Sequence, residues 1–195
     1  MTRRRLAACA LAAALAAACK SAPRWVPVQG TYAPPSGRYA VEFPPGWMRL
    51  GERDTVVVSR EGLFLQRIDV FQHQTGTPLG GTRKVVTPGM LPQEVAEIVQ
   101  DAVASSPGMQ GVAVLENAPA SLDDHPGFKL LVAYKDRDGL RMRSVVYGAL
   151  VGESLYELSY SAPERHYFDR DLGTFEQVRS TFRIAPPALA RAKNE

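Results

Sequence analysis

Hydrophobic and polar positions alternate along most of this chain with the period of a β-strand, and two stretches switch to the period of a helix. "RYAVEF" puts Tyr39, Val41 and Phe43 on one face, and "PPGW" then turns the chain. "TVVVS" follows as a second strand. "LFLQRIDVFQ" predicts a longer one, with Phe64, Ile68 and Val70 on one face and Leu63, Leu65 and Phe71 on the other. Residues 75–89 are rich in Gly, Thr and Pro, and a structureless connection of that length points to mobility or function. "LPQEVAEIVQDAVASS" is the first helix, because Leu91, Val95, Ile98, Val99, Ala102 and Val103 recur at helical spacing. Pro92 suits its first turn, and Pro107-Gly108 stops it.

Four more strands are predicted after it: "VAVLENA", "GFKLLVAYKD", "LRMRSVVYGALV" and "LYELSYSA". The joints between them are residues 123–127, the Asp138-Gly139 hairpin signal and the Gly152-Glu153-Ser154 turn. A second helix over residues 164–182 carries Phe168, Leu172, Phe175, Val178 and Phe182 on one side. Strands joined by tight turns pair antiparallel, and helices then cover the sheet, which predicts an α+β layered domain over residues 38–184.

The amino terminus breaks this pattern. Three arginines precede residues 6–18, an apolar run too short to span a bilayer and without a polar face. This is the layout of a secretory signal peptide. Leu15-Ala16-Ala17-Ala18-Cys19 resembles the bacterial lipobox, in which the cysteine thiol takes up a diacylglycerol and the chain is cut before it. Leu6-Ala7-Ala8-Cys9 matches the letters better, with Leu three before the cysteine where the Cys19 site has Ala16, but cutting there leaves only three apolar residues after Arg5. Cys19 is therefore the expected lipidation site, residues 1–18 the signal peptide, and residues 19–37 a proline-rich tether that holds the domain clear of the lipid. Residues 185–195 read as a flexible tail. Lys20 stands where many inner-membrane lipoproteins carry Asp, which points to an outer-membrane anchor facing the periplasm.

Cys9 and Cys19 are the only cysteines, so processing leaves no thiol for a disulfide, a zinc site or a nucleophile. The whole chain is formally +3, with 23 basic and 20 acidic residues. Removal of Arg3, Arg4 and Arg5 leaves 20 of each, so no charge argument for nucleic-acid binding survives.

Motifs for catalysis are sparse. His73, His125 and His166 have no metal-ligand spacing, and neither H-E-x-x-H, G-x-S-x-G nor a P-loop around Gly80-Gly81 and Lys84 is present. Asp123-Asp124-His125 reads as a solvated hairpin turn rather than a cation site. Arg141 and Arg143, with Lys129, Lys135, Asp136 and Asp138, read as a charge-laced sheet more than as a basic patch.

"YAVEFPPGWMR" and "LYELSYSAPERHYFDRDLGTFEQVRSTFRI" together resemble the PsbP/DcrB-like superfamily, whose fold is shared with a Ran-binding nuclear import factor. Phe43, Pro44, Gly46 and Trp47 match its opening signature. Ala162-Pro163 and Ser180-Thr181-Phe182-Arg183 match its closing one, with Thr181 inserted. The resemblance implies an α/β/α sandwich around an antiparallel sheet, with Trp47, Phe175 and Phe182 in a core and Gly46 in a turn. It also implies a binding or assembly role instead of catalysis. The expected function is a non-enzymatic accessory or protein-binding lipoprotein of the cell envelope, without catalytic, cofactor-binding or metal-binding residues. Its partners would be the membrane, through the lipid on Cys19, and another envelope protein. The alternative is a small-molecule or metal carrier with a pocket under residues 75–89.

Overall fold

The computed structural model describes residues 24–28, 30–50 and 55–185. The signal peptide, Cys19 and most of the expected tail lie outside them.

An eight-stranded antiparallel sheet runs through the molecule in the order β1-β4-β5-β6-β10-β9-β8-β7. Its strands are β1 (Trp25–Pro27), β4 (Met48–Leu50), β5 (Val56–Ser59), β6 (Arg67–Gln74), β7 (Gln110–Leu122), β8 (His125–Lys135), β9 (Arg141–Val151) and β10 (Ser154–Pro163). A second sheet joins β2 (Thr31–Tyr32), β3 (Tyr39–Glu42) and β11 (Arg183–Ile184) in the order β11-β3-β2. The helices are α1 (Pro92–Ala104) and α2 (Tyr167–Thr181).

Strand alternation sends side chains to two different layers. Val145, Tyr147 and Ala149 of β9 and Tyr156, Leu158 and Tyr160 of β10 pack with Phe168, Phe175 and Val178 of α2 and with Tyr39, Val41 and Trp47. Val146 and Leu155, on the opposite face, pack with Val95, Ile98 and Val99 of α1. The architecture is thus the expected α+β arrangement, an α/β/α sandwich. Trp47, Phe175 and Phe182 are at most 1% exposed, in keeping with their expected core role, and Gly46 takes a φ of +83° in the turn. Helix α1 starts as expected at Pro92, with the Leu91 N–H donating to Glu94 Oε2 at 2.7 Å.

Four local expectations are corrected. The proline-rich segment is not a free tether throughout: Trp25–Pro27 pair with Met48–Leu50, and Thr31–Tyr32 pair with Glu42 and Val41. Prolines are tolerated there because edge strands leave one row of N–H groups unused. The strand expected from Leu63 starts only at Arg67. Ser59 Oγ accepts from the Gly62 N–H at 2.9 Å and donates to the Gln66 carbonyl at 2.8 Å, which turns the chain and leaves Phe64 81% exposed.

Residues 75–89 are ordered by a short ladder, Gly76 N–H to Val86 O at 2.8 Å and Leu79 N–H to Lys84 O at 3.1 Å, and they bury Leu79 and Val86 beside α1. A Cβ on Gly80 would stand 3.1 Å from Ala102 Cβ, so the glycines there serve close packing on α1. Finally, the turn between β7 and β8 is only Asp123-Asp124, both at positive φ, the backbone of a two-residue hairpin.

Candidate functional site

The α1 face of the sheet is covered unequally. Helix α1 packs over β7, β8 and β9. It leaves β6 and β10 open, and there most alternating positions are polar: Arg67, Asp69 and His73 on β6, with Phe71 among them, and Glu157, Ser159 and Ser161 on β10. Register places Asp69 opposite Ser159 and Arg67 opposite Ser161. A groove therefore runs between the flank of α1 and the middle of the sheet, with apolar side chains beside the polar strand positions.

Two connected clefts make up this groove, with Ser106 at the end of α1 in both. The larger, about 430 Å³, lies between Phe64 and Arg67 on one side and Tyr134, Arg137 and Met142 on the other. The smaller, about 230 Å³, is bounded by Leu79 and Gly80 and by Phe71, His73 and Glu157. That is where a pocket under residues 75–89 was expected, and from that segment Leu79 and Gly80 line it.

Its electrostatics are set by burial. Asp69 is 3% exposed, and desolvation lifts its carboxyl to about 6 although Arg67 Nε, 3.0 Å away, pulls it down. Burial likewise raises the Tyr134 hydroxyl, which is hydrogen-bonded to Ser161. Ser161 also shares a hydrogen bond of 2.8 Å with Ser144. His73 Nε2 lies 3.4 Å from Glu157 Oε2, while Glu157 Oε1 is buried without a hydrogen-bond partner. Among the described residues no serine hydroxyl is hydrogen-bonded to a histidine or a carboxylate, and no cluster of His, Cys, Asp and Glu is placed to hold a metal.

The residues singled out by sequence do not converge. His73 joins the groove, whereas His125 begins β8 and His166 precedes α2 at a φ of +73°. Asp123 Oδ2 accepts from the Ile184 N–H at 2.6 Å, so that carboxylate clamps the chain end to the hairpin. Lys84 pairs with Asp101 of α1. Arg143 pairs with Glu164 at 2.7 Å, and Lys129 with Glu116 at 2.9 Å, so opposite charges do lace these strands, but the partners are not Asp136 and Asp138, and β8 and β9 lie inside the sheet. Cys19 lies outside the described residues.

Sequence reasoning missed the groove itself. Its signal was present: "RIDVFQH" and "YELSYS" alternate polar residues on a face that a fully covered sheet would make apolar.

The sandwich has the PsbP/Mog1-like α+β fold, as the resemblance implied. No protein-family model matches the sequence, and no curated protein does. Solved structures match the fold. The cyanobacterial PsbP (CyanoP) of Synechocystis sp. PCC 6803 is 15% identical with a TM-score of 0.52, covering 86% of this chain and 96% of that one. The Ran-binding protein Mog1p of Saccharomyces cerevisiae is 12% identical with a TM-score of 0.54, covering 86% and 99%. LpqN of Mycobacterium tuberculosis, described as involved in cell envelope biogenesis, is 13% identical with a TM-score of 0.52, covering 85% and 93%. A larger Bacteroides thetaiotaomicron protein also matches, at 11% identity and a TM-score of 0.54, over 82% of this chain, which spans 50% of its length.

Proposed function

We propose that this protein is a lipid-anchored accessory factor of a bacterial cell envelope that binds a partner protein through the α1-side groove. One observation carries the reading: Phe64 stands 81% exposed at the mouth of a cleft, beside Arg67 of β6 and Tyr134 of β8. Aromatic and Arg anchors beside a pocket are the side chains that dominate binding energy at protein interfaces. The occurrence of the same fold in an envelope-biogenesis protein supports the setting. The lipobox-like Leu15-Ala16-Ala17-Ala18-Cys19 supports the anchor, and Lys20 supports an outer-membrane position facing the periplasm. The carrier reading is less favoured, because the cleft at residues 75–89 holds about 230 Å³ against the usual ~300–1,000 Å³ of ligand pockets.

The test is capture from native membranes with wild type and Phe64→Ala as baits, with intact-mass analysis of wild type and Cys19→Ala. The expected result is a protein that co-purifies with wild type and is lost with Phe64→Ala, and a lipid mass that vanishes in Cys19→Ala. Equal capture by both baits refutes the groove as the interface. An unmodified wild-type amino terminus refutes the anchor.

A further inference from the structure

We infer that the β1 edge of the sheet rests on the lipid bilayer, with Trp25 at the level of the headgroups. The inference builds on the proposed lipid at Cys19, and its ground is how few residues separate Cys19 from β1. A tether running to residue 37 would let the domain stand clear of the membrane. Instead, Trp25–Pro27 are already paired with Met48–Leu50, and the Val28 N–H donates to the Trp47 carbonyl at 3.1 Å.

Only Lys20, Ser21, Ala22, Pro23 and Arg24 separate Cys19 from Trp25. Six residue steps span at most about 20–22 Å fully extended. As a flexible chain they would average about 12–15 Å. The radius of gyration of a domain of this size is about 15 Å. The anchor therefore reaches less than one domain diameter, and the β1 edge is the part of the domain that it draws down.

The surface at that edge suits lipid. β1 is the terminal strand, hydrogen-bonded to β4 on one side only. Trp25 is 36% exposed, whereas Trp47 is 1% exposed. A tryptophan with one apolar and one hydrogen-bonding end is the side chain enriched at membrane–water interfaces. Arg24, also exposed, can lay its stem along the lipid and keep its guanidinium among phosphates. Three strand spacings separate β1 from β6, so the groove would open roughly 15 Å from this contact, within reach of a membrane-bound partner.

The experiment uses the full lipidated protein in vesicles of phosphatidylethanolamine and phosphatidylglycerol that carry lipids brominated near the headgroup. Because Trp47 is buried, quenching reports on Trp25. The expected result is loss of up to roughly half of the tryptophan emission, as befits one interfacial ring of two. That quenching should disappear in Trp25→Phe. It should fall by about half or more when about fifteen Gly/Ser residues are inserted after Lys20, because the longer chain frees the domain from the surface. Quenching that is absent, or unchanged in either variant, while intact mass shows the lipid, overturns the orientation and leaves the anchor standing. A dimer cross-linked through position 25 without quenching overturns it in favour of a second copy. Absence of the lipid mass removes the anchor and this inference together.

Discussion

Arg67 and Asp69 extend from the same face of β6, with Nε 3.0 Å from Oδ2, and the Asp69 side chain is buried while the Arg67 side chain remains 40% exposed. Arg67 lines the larger cleft, and Asp69 is buried beside it in the half of the α1 face that the helix does not cover. Its charge is held inside the sheet by one partner that can still exchange with water or with an incoming ligand. Asp69 is therefore the buried charge nearest the cleft that Arg67 lines.

Asp69 should give the protein a measurable pH dependence of stability. Its folded carboxyl is raised to about 6, above the usual carboxylate range, with burial as the larger cause and Arg67 opposing it. The folded state thus holds this proton more tightly than the unfolded chain does. The resulting stabilisation is complete below the unfolded value and is lost as pH rises through about 6. A difference of two pK units corresponds to about 3 kcal/mol. Urea unfolding of wild type and Asp69→Asn between pH 4 and pH 7.5 isolates this site from the other carboxylates. Wild type should lose about 2 kcal/mol relative to the variant across that interval, since part of the full difference lies below pH 4. Parallel curves would show that Asp69 is ionised at no cost.

Phe64 should separate binding from stability. At 81% exposure its ring adds little to the fold. Phe64→Ala should change unfolding free energy by no more than about 0.5 kcal/mol. Partner capture should nevertheless drop at least tenfold if the ring is an anchor, a loss of about 1.4 kcal/mol or more. A variant that unfolds early would mean that Phe64 packs in the fold, and its capture result would then report on stability.

The strand alternation and the helical periodicity made the layers legible, because apolar positions at spacings of two and of three to four are dictated by burial. Trp47, Phe175 and Phe182 were legible for the same reason. Phe64 was not, because the alternation of "LFLQRIDVFQ" runs on without a break while Ser59, eight residues before Arg67, turns the backbone with its hydroxyl. β1 and β2 were hidden by prolines and glycines, whose local preference for turns is overridden once β4 and β3 supply partners. Residues 75–89 looked free because Leu79 and Val86 are isolated among Gly and Thr, and only α1 gives them something to bury against. The groove could be suspected from Asp69, Glu157 and Ser159, but which half of the sheet α1 leaves open is a tertiary fact.

Two glycine substitutions should move stability in opposite directions. A Cβ at Gly127 would lie 2.0 Å from the Gly148 carbonyl oxygen across the β8–β9 pair. β8 is held by β7 on its other side and β9 by β10, so neither backbone can withdraw. Gly127→Ala should cost about 3 kcal/mol and lower Tm by roughly 6–12 °C. Gly173 lies inside α2, and a Cβ there meets no atom within 4 Å. Gly173→Ala should stabilise by about 0.5–1 kcal/mol, since alanine loses less backbone entropy in a helix. Scanning calorimetry of both variants decides; similar Tm values would contradict the packing at Gly127.

Asp171 should be the strongest single link between α2 and the β5–β6 turn. It is 3% exposed within the helix. Its carboxylate accepts from Gln66 Nε2 at 3.2 Å and pairs with Arg60 at 3.1 Å and Arg170 at 2.8 Å. The arginines are about a third exposed, so water would screen and partly replace their lost partner. Gln66 is 0% exposed and has no such recourse. Asp171→Ala should thus cost about 2–3 kcal/mol, mostly from stranding a buried amide. A double-mutant cycle with Gln66→Ala separates the terms. The two changes should be non-additive by about 1 kcal/mol or more, because removing Gln66 deletes the group that Asp171→Ala leaves unsatisfied. Additive costs would assign the link to Arg60 and Arg170 instead, and salt would then weaken it as it weakens any exposed ion pair.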